Sequence, residues 1–353
     1  MAQRKKLAIF QKELWVGGIQ KSLLNLIANL DHEKYEIDLY LYDKNIFYDV
    51  DFPENVTVHF RKPYPYWFRF LYFPLVFRLK RGSAPAPGFR YDTAIDFNSY
   101  QNECAVDALS VPADKRICWV HTDVRKSKGY EKKFRLLWHF FKDKFHRFDE
   151  FAAVSGGCAA VFPEEAKLKD KPITVVPNYI DTSEIYAKAA AEVDFVPDPA
   201  KINLCTVGRM CYAKGYDLLL DDFAKAYARR PELHLYFIGD GELRQSLTRQ
   251  ITTLGLEDAV TMLGYQSNPF PYMAKMDGFV LTSRYEGQGM VLWEAKALGL
   301  PVLIPKHLEA YNDGICGHDD MIEAMVRFEK TEKTPDPLDW YNKMITERLE
   351  ALL

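Results

Sequence analysis

A chain of 353 residues is longer than one ordinary hydrophobic core accounts for, and the length points to two domains. Hydrophobic residues at 48% and charged residues at 27% are ordinary values for a soluble globular protein and exclude a disordered chain. The net charge of -3 hides an asymmetry: residues 1–180 carry 28 Lys+Arg against 22 Asp+Glu, and the remainder carries 18 against 27, so the first half is the one suited to an anionic partner.

The chain begins "MAQRKKLAIFQKE". The apolar run after this basic head is too short for a signal peptide and reads as a first buried strand. Short apolar runs then alternate with helical patterns. The expected strands are Lys6–Phe10, Glu36–Tyr42, Val56–Phe60, Thr93–Phe97, Arg116–His121, Ala152–Ser155 and Ile173–Pro177. A second series comprises Asn203–Val207, Leu233–Gly239, Val260–Leu263, Gly278–Thr282 and Pro301–Ile304. Helical stretches such as Ile19–Asn29, Tyr216–Arg229 and Glu242–Leu254 lie between them. This alternation is that of parallel sheets covered by helices on both faces. Residues 181–201 lack a strand pattern, end in prolines and read as a linker. The expected fold is α/β, with two doubly wound Rossmann-like domains, residues 1–180 and 202–353, facing a central cleft. A C-terminal helix packed back on the first domain is compatible with this division. The cysteines (Cys104, Cys118, Cys158, Cys205, Cys211, Cys316) are scattered, without CxxC spacing or a histidine cluster. That pattern argues against a disulfide framework or structural zinc and for a reducing, cytoplasmic setting.

In doubly wound sheets ligands sit at the carboxyl ends of the strands, so the loops there carry the information. After the first strand, Gly17-Gly18 open a helix, an arrangement suited to an anion and equally to a plain strand–helix turn. After Asn203–Val207 the loop "GRMCYAKG" holds Arg209 and Lys214. Two fixed cations there can clamp a diphosphate, although a solvated loop with stray charges has the same composition. After Gly278–Thr282 comes "SRYEGQGMVLWEAKALG". Gly287, Gln288, Gly289 and Met290 offer backbone N–H groups at a helix start. Glu286 precedes that start and Glu294 lies just over one helical turn beyond Met290. The two carboxylates are spaced to meet two polyols joined by a diphosphate, which describes a nucleotide sugar, although a carboxylate at a helix start with an exposed glutamate beyond it has the same spacing and is the commoner case for any one pair.

In combination these residues resemble the retaining GT-B glycosyltransferases of family 4. The resemblance rests on Gly17-Gly18, His121 in "CWVHTD", Ser155 in "AVSGG", and Asn178 and Asp181 in "VVPNYID". It continues through Arg209, Lys214 and Gly215, "GDGEL", and the Glu286–Glu294 pair, covering residues 7 to 305. Gln288 stands where an aromatic residue is common, and the stretch after Ile304 lacks the usual Gly-Gly. The resemblance implies a retaining transfer without a metal or other cofactor, the nucleotide sugar (UDP-linked) being a co-substrate. Arg209 and Lys214 would neutralise the leaving diphosphate, Glu286 would hold the donor sugar, Glu294 the ribose, and His121 the sugar or the acceptor. Gly17, Gly18, Gly287, Gln288, Gly289 and Met290 would complete the donor site.

Residues 61–82, "RKPYPYWFRFLYFPLVFRLKRG", combine six basic residues with many aromatics and no acid. The segment is too interrupted to span a membrane and suits an anionic lipid headgroup layer. Residues 126–147 place Phe134, Leu137, Trp138, Phe141 and Phe145 at helical spacing among lysines and read as one basic amphipathic helix. For both segments, packing against the first sheet is the other reading. No nucleic-acid motif accompanies them. The expected function is sugar transfer to a glycan or lipid-linked glycan on the inner membrane face. The alternatives are a silent glycosyltransferase-like scaffold and a nucleotide-sugar epimerase on the same fold. A dehydrogenase would need GxGxxG after the first strand, which is missing.

Overall fold

The computed structural model describes residues 4–15, 17–47, 50–65 and 90–353, and among these the named strands form two sheets whose pairings are all parallel. The expected strands are all present, in the expected order. The first unit comprises Met1–Tyr179 and Tyr341–Leu353. Its strands are β1 (Lys5–Phe10), β2 (Tyr35–Leu41), β3 (Val56–Phe60), β4 (Tyr91–Asp96), β5 (Ala113–Val120), β6 (Glu150–Ala153) and β7 (Ile173–Val175), in the sheet order 3-2-1-4-5-6-7. Burial on both faces explains the unbroken apolar run Leu7–Phe10, every residue of which is inaccessible. The helices here are α1 (Gly18–Asn29), α2 (Asn102–Ser110), α3 (Val124–Tyr130), α4 (Lys132–Phe141) and α5 (Gly156–Ala166).

The second unit, Ile180–Trp340, holds β8 (Ile202–Val207), β9 (Leu233–Ile238), β10 (Val260–Gly264), β11 (Gly278–Val280) and β12 (Val302–Leu303), ordered 10-9-8-11-12. Its helices are α6 (Thr182–Ala189), α7 (Tyr216–Arg229), α8 (Arg244–Leu254), α9 (Phe270–Ala274), α10 (Met290–Ala297) and α11 (Met321–Val326). A last helix, α12 (Asp339–Leu352), ends in the first unit. There the Lys34 ammonium pairs with Glu350 at 2.7 Å, and Lys115 donates to the Leu352 carbonyl at 2.6 Å. The strand order reverses between β1 and β4 in one sheet and between β8 and β11 in the other, and such points are where ligands bind in this architecture.

Two expectations change. Residues 181–201 are no simple linker. Asp181 caps α6 by accepting from the Glu184 N–H at 2.9 Å, and Glu184 sits three residues on, as in a capping box. Phe195 then packs between Tyr236 and Tyr272, and Lys275 donates to the Val193 and Phe195 carbonyls. The segment thus belongs to the second unit. Residues 126–147 are not one helix either. Glu131 adopts an extended conformation that ends α3 and starts α4, and residues 142–147 form a 3-10 turn. Trp138, Phe141 and Phe145 are buried, Trp138 and Phe145 against Phe162 and Phe145 also against Phe151, whereas Leu136 and Phe140 are more than half exposed. Most of the aromatic segment 61–82, from residue 66 onward, lies outside the described residues. Its start is tied down by Arg61, paired with the buried Asp107 at 3.2 Å, and by Tyr64, whose hydroxyl donates to the same carboxylate at 2.8 Å. Among the described residues no helix is long and apolar enough to cross a membrane.

Candidate active site

The loops after β8 and β11 meet at the second sheet's reversal point. The first loop can approach its neighbours because glycines stand at the closest contacts. Gly239 has φ +143, and a Cβ there would fall 2.1 Å from the Gly208 carbonyl oxygen. Gly215 has φ +61, and a Cβ there would fall 2.3 Å from the Thr282 carbonyl oxygen. Left-handed backbone and this closeness both require glycine. The Tyr212–Lys214 turn is thereby laid against Thr282–Arg284: the Thr282 hydroxyl donates to the Gly215 carbonyl at 3.1 Å, and the Arg284 N–H to the Ala213 carbonyl at 2.8 Å.

The result is a charged pair. The Lys214 ammonium lies 2.7 Å from Glu286 Oε1, and the Ser283 hydroxyl donates to the same oxygen at 2.6 Å. Both side chains are largely covered, with 21% and 12% exposed. Burial works to lower the pKa of Lys214, but the Glu286 carboxylate, with Tyr216, more than offsets it and holds it above the ordinary lysine value. Lys214 is therefore a fixed cation at any physiological pH. Arg209 lies exposed on the same loop and makes no ion pair among the described residues.

Glu286 is followed by Gly287 and Gln288, and Gly289 is the N-cap of α10, as the spacing predicts. The helix start is less open than expected. The Gly289 N–H donates to Asn312 Oδ1 at 3.0 Å, and the Met290 N–H to the Gln288 carbonyl at 3.0 Å. These two donors are already engaged, because Asn312 reaches back from beyond β12. Glu294 sits half-buried on α10.

Four residues that sequence reasoning missed hold this arrangement. The Arg284 guanidinium makes a forked ion pair with Asp217 at 2.7 and 2.5 Å, donates to the Tyr212 carbonyl at 2.9 Å and stacks over the Tyr212 ring at 4.1 Å. His307 Nε2 faces the Ser283 carbonyl at 2.9 Å. Asn312 and Ser283 complete the set. Arg284 and Ser283 stand inside the stretch already singled out, but nothing in their spacing marks them.

Gly17, Gly18 and His121 lie in the first unit. Gly17 caps α1 with an extended φ of 175°, which any residue adopts, and a Cβ on Gly18 would meet open space. His121 follows β5 and is 8% exposed. Its Nε2 lies 2.8 Å from the Phe97 carbonyl, and its N–H donates to the Tyr100 hydroxyl at 3.2 Å. A carbonyl only accepts, so the neutral ring carries its proton on Nε2 and presents Nδ1 as an acceptor. Burial pushes its pKa down to about 3, against a smaller opposing effect of the Phe97 carbonyl. Of the other motif residues of this half, Ser155 caps α5, and Asn178 accepts from the Ser22 hydroxyl on α1.

Two family models match consecutive parts of the chain, "Glycosyltransferase Family 4" over residues 16–184 and "Glycosyl transferases group 1" over residues 192–315. The chain is 34% identical over 133 residues to the lipopolysaccharide core biosynthesis glycosyltransferase LpsE of Rhizobium meliloti, a match spanning 38% of this chain and 37% of that protein. It is 27% identical over 311 residues to the N-acetylgalactosamine-N,N'-diacetylbacillosaminyl-diphospho-undecaprenol 4-alpha-N-acetylgalactosaminyltransferase of Campylobacter jejuni, covering 86% of this chain and 81% of that one. Among solved structures it is similar to Anabaena HepE in complex with UDP and glucose (TM-score 0.60, 18% identity, 98% and 95% coverage). It is also similar to S. aureus TarM in a complex that includes UDP (TM-score 0.63, 12% identity, 98% and 96% coverage). The structural likeness establishes the GT-B fold.

Proposed function

We propose, from the premise that this chain belongs to the group 1 glycosyltransferases of family 4, that it moves a sugar from a UDP-linked donor to a hydroxyl of a glycan or lipid-linked glycan during polysaccharide assembly. The observation that carries the reading is the Lys214–Glu286 pair at the reversal point between β8 and β11, with Arg209 exposed beside it. Charge develops on the departing diphosphate as the anomeric carbon–oxygen bond breaks, and Lys214 and Arg209 are preorganised to stabilise it. Glu286, held by Lys214 and Ser283, accepts hydrogen bonds from the donor sugar. Glu294, one turn into α10, takes the ribose. The acceptor oxygen bonds to the anomeric carbon on the face the phosphate leaves, and its proton passes to the departing phosphate oxygen, so configuration is retained. His121, neutral and with Nδ1 as an acceptor, receives a hydroxyl of the sugar or the acceptor. In this scheme the cations do the work a metal does elsewhere.

The work is placed at the inner membrane face. Support comes from α4, where Leu136 and Phe140 stand 59% and 55% exposed among Lys132, Lys133, Arg135 and His139. The decisive experiment is a thermal-shift panel of nucleotide sugars, followed by NMR of the product's anomeric configuration. A donor at 100 times its Kd stabilises by about 2.7 kcal/mol. The reading fails if no nucleotide sugar shifts the melting temperature, and retention fails if the product is inverted.

A further inference from the structure

Lys144, in the 3-10 turn after α4, is 2% exposed, and burying an ammonium is costly unless hydrogen bonds or an opposite charge compensate it. Its Nζ donates to the Ser99 carbonyl at 2.6 Å and to Asn102 Oδ1 at 3.0 Å, and lies 5.0 Å from the Phe145 ring centre. Ser99 belongs to the connection between β4 and α2, and Asn102 is the first residue of α2. The same connection holds His121: Phe97 supplies the carbonyl that fixes the imidazole proton on Nε2, and Tyr100 supplies the hydroxyl that takes the His121 N–H. The Phe97 ring also packs 4.7 Å from the imidazole. On the Lys144 side the connection is poorly backed. A cavity of about 50 Å³ opens there, lined by Ser99, Tyr100, Phe134, Trp138 and Lys144. A segment bordering a pocket has fewer packed neighbours on that side than one inside a filled core, so directional bonds contribute more to fixing it.

We propose that Lys144 is a positioning residue for His121, acting through residues 97–102 to set both the place and the tautomer of the imidazole. This deepens the glycosyltransferase reading and rests on it for the catalytic consequence alone. Lys144 touches neither His121 nor substrate; it holds the connection that does the touching. Without it the Ser99 carbonyl loses its donor, the connection relaxes toward the cavity, and the Phe97 carbonyl no longer specifies Nε2–H.

The test is Lys144→Met in the full-length protein, an apolar replacement of similar length. The primary readout is the imidazole ¹⁵N spectrum of ¹⁵N-histidine-labelled protein, with His121 assigned by its loss in His121→Gln. Wild type gives the Nε2–H pattern. Lys144→Met gives a shifted signal averaged between tautomers, and its kcat/KM for acceptor falls about 10- to 100-fold, as for misplacement of a reacting group. Affinity for UDP stays within about twofold, because the cations assigned to the diphosphate are untouched. Lys144→Gln, which keeps a donor, restores part of both effects. A folded Lys144→Met with the wild-type His121 pattern and wild-type acceptor kinetics overturns the proposal. If Lys144→Met does not fold, Asn102→Ala removes one of its two acceptors and decides instead: a shift toward the averaged pattern supports the proposal, and an unchanged pattern overturns it. A loss of melting temperature with His121 unmoved marks a merely structural lysine and also overturns it. The spectrum needs no donor, so an inactive wild type would defeat the glycosyltransferase reading while leaving this inference decided by His121.

Discussion

Lys214→Met separates the two things Lys214 is asked to do. At 2.7 Å and an effective dielectric of about 20, the Coulomb attraction to Glu286 is about 6 kcal/mol before desolvation is subtracted. Breaking a buried pair by removing one partner costs about 3–5 kcal/mol. This pair retains 21% and 12% exposure, so a loss of about 2–3 kcal/mol is expected. The catalytic loss is a separate quantity. Removing a preorganised charge from a developing anion costs about 10²–10³ in rate. Denaturant unfolding measures the first, and release of UDP at saturating donor and acceptor measures the second. Glu286→Gln and the double variant close a cycle. In the stability cycle the singles couple, because each removes the same bond. In the turnover cycle the double variant falls well below Glu286→Gln, because the diphosphate has lost its cation as well. If the double variant turns over as fast as Glu286→Gln, Lys214 only holds Glu286. Near-normal turnover in both Lys214→Met and Arg209→Ala would falsify the charge-stabilising role outright.

Glu294→Ala is expected to weaken UDP binding in calorimetry by about 1.5–3 kcal/mol, while Glu286→Ala spares UDP and weakens the intact donor. Unchanged UDP affinity in Glu294→Ala removes the ribose role. Gly215→Ala must carry a side chain at φ +61, 2.3 Å from a backbone oxygen, and should cost more than the roughly 1–3 kcal/mol of a left-handed residue alone, read by thermal unfolding. Leu136→Ser with Phe140→Ser should keep the fold, both side chains being exposed, and lose co-sedimentation with anionic vesicles at low salt; retained sedimentation excludes α4 as the anchor. For His121 the folded pKa of about 3 lies below the ordinary 6.5, so the unfolded chain binds the extra proton and stability falls as pH drops from 6.5 toward 3. Burial acts oppositely on Asp96, raising it to about 7, so its folded form keeps a proton the unfolded form has lost and stability falls as pH rises from 3.8 toward 7. The two effects oppose one another in the overlap. The His121 slope of about 1.4 kcal/mol per pH unit should therefore appear in wild type minus His121→Gln, and a flat difference refutes the buried neutral ring.

What was legible in the sequence follows from periodicity and local chemistry. Parallel strands buried on both faces leave runs such as "LAIF" and "LYFI", so the central strands and the α/β class can be read directly. The family motifs marked the loops at the strand ends, and the structure brings Lys214 and Glu286 together across 72 positions of sequence. Capping is legible in the sequence: Asp181 and Glu184 carry a helix-start signature inside a segment whose prolines point instead to a linker. Amphipathicity misleads at 126–147, because the apolar spacing from Phe134 runs on to Phe145 through the 3-10 turn, and it does not mark the break at Glu131.

The remaining residues were illegible for a different reason. Asn312 occupies the Gly289 N–H from 23 positions away, Arg284 pairs with Asp217 across 67, and Lys144 reaches Ser99 across 45. None of these contacts has a period or a fixed spacing, since each is made by a side chain whose reach matters more than its place in the pattern. They also share a form. Each is made by a residue given no part in meeting substrate and fixes a segment at or next to one that has: Asn312 fixes the start of α10, Arg284 fixes the Tyr212–Lys214 turn beside Glu286, and Lys144 fixes the residues that hold His121. A motif names the groups that meet substrate, because their chemistry restricts what can stand there. The groups that aim them are restricted only by geometry, and a different fold of the neighbouring loop would let another residue do the same. Hence variants of the aiming residues should alter rate and orientation more than affinity for UDP, the reverse of what is expected at Glu294.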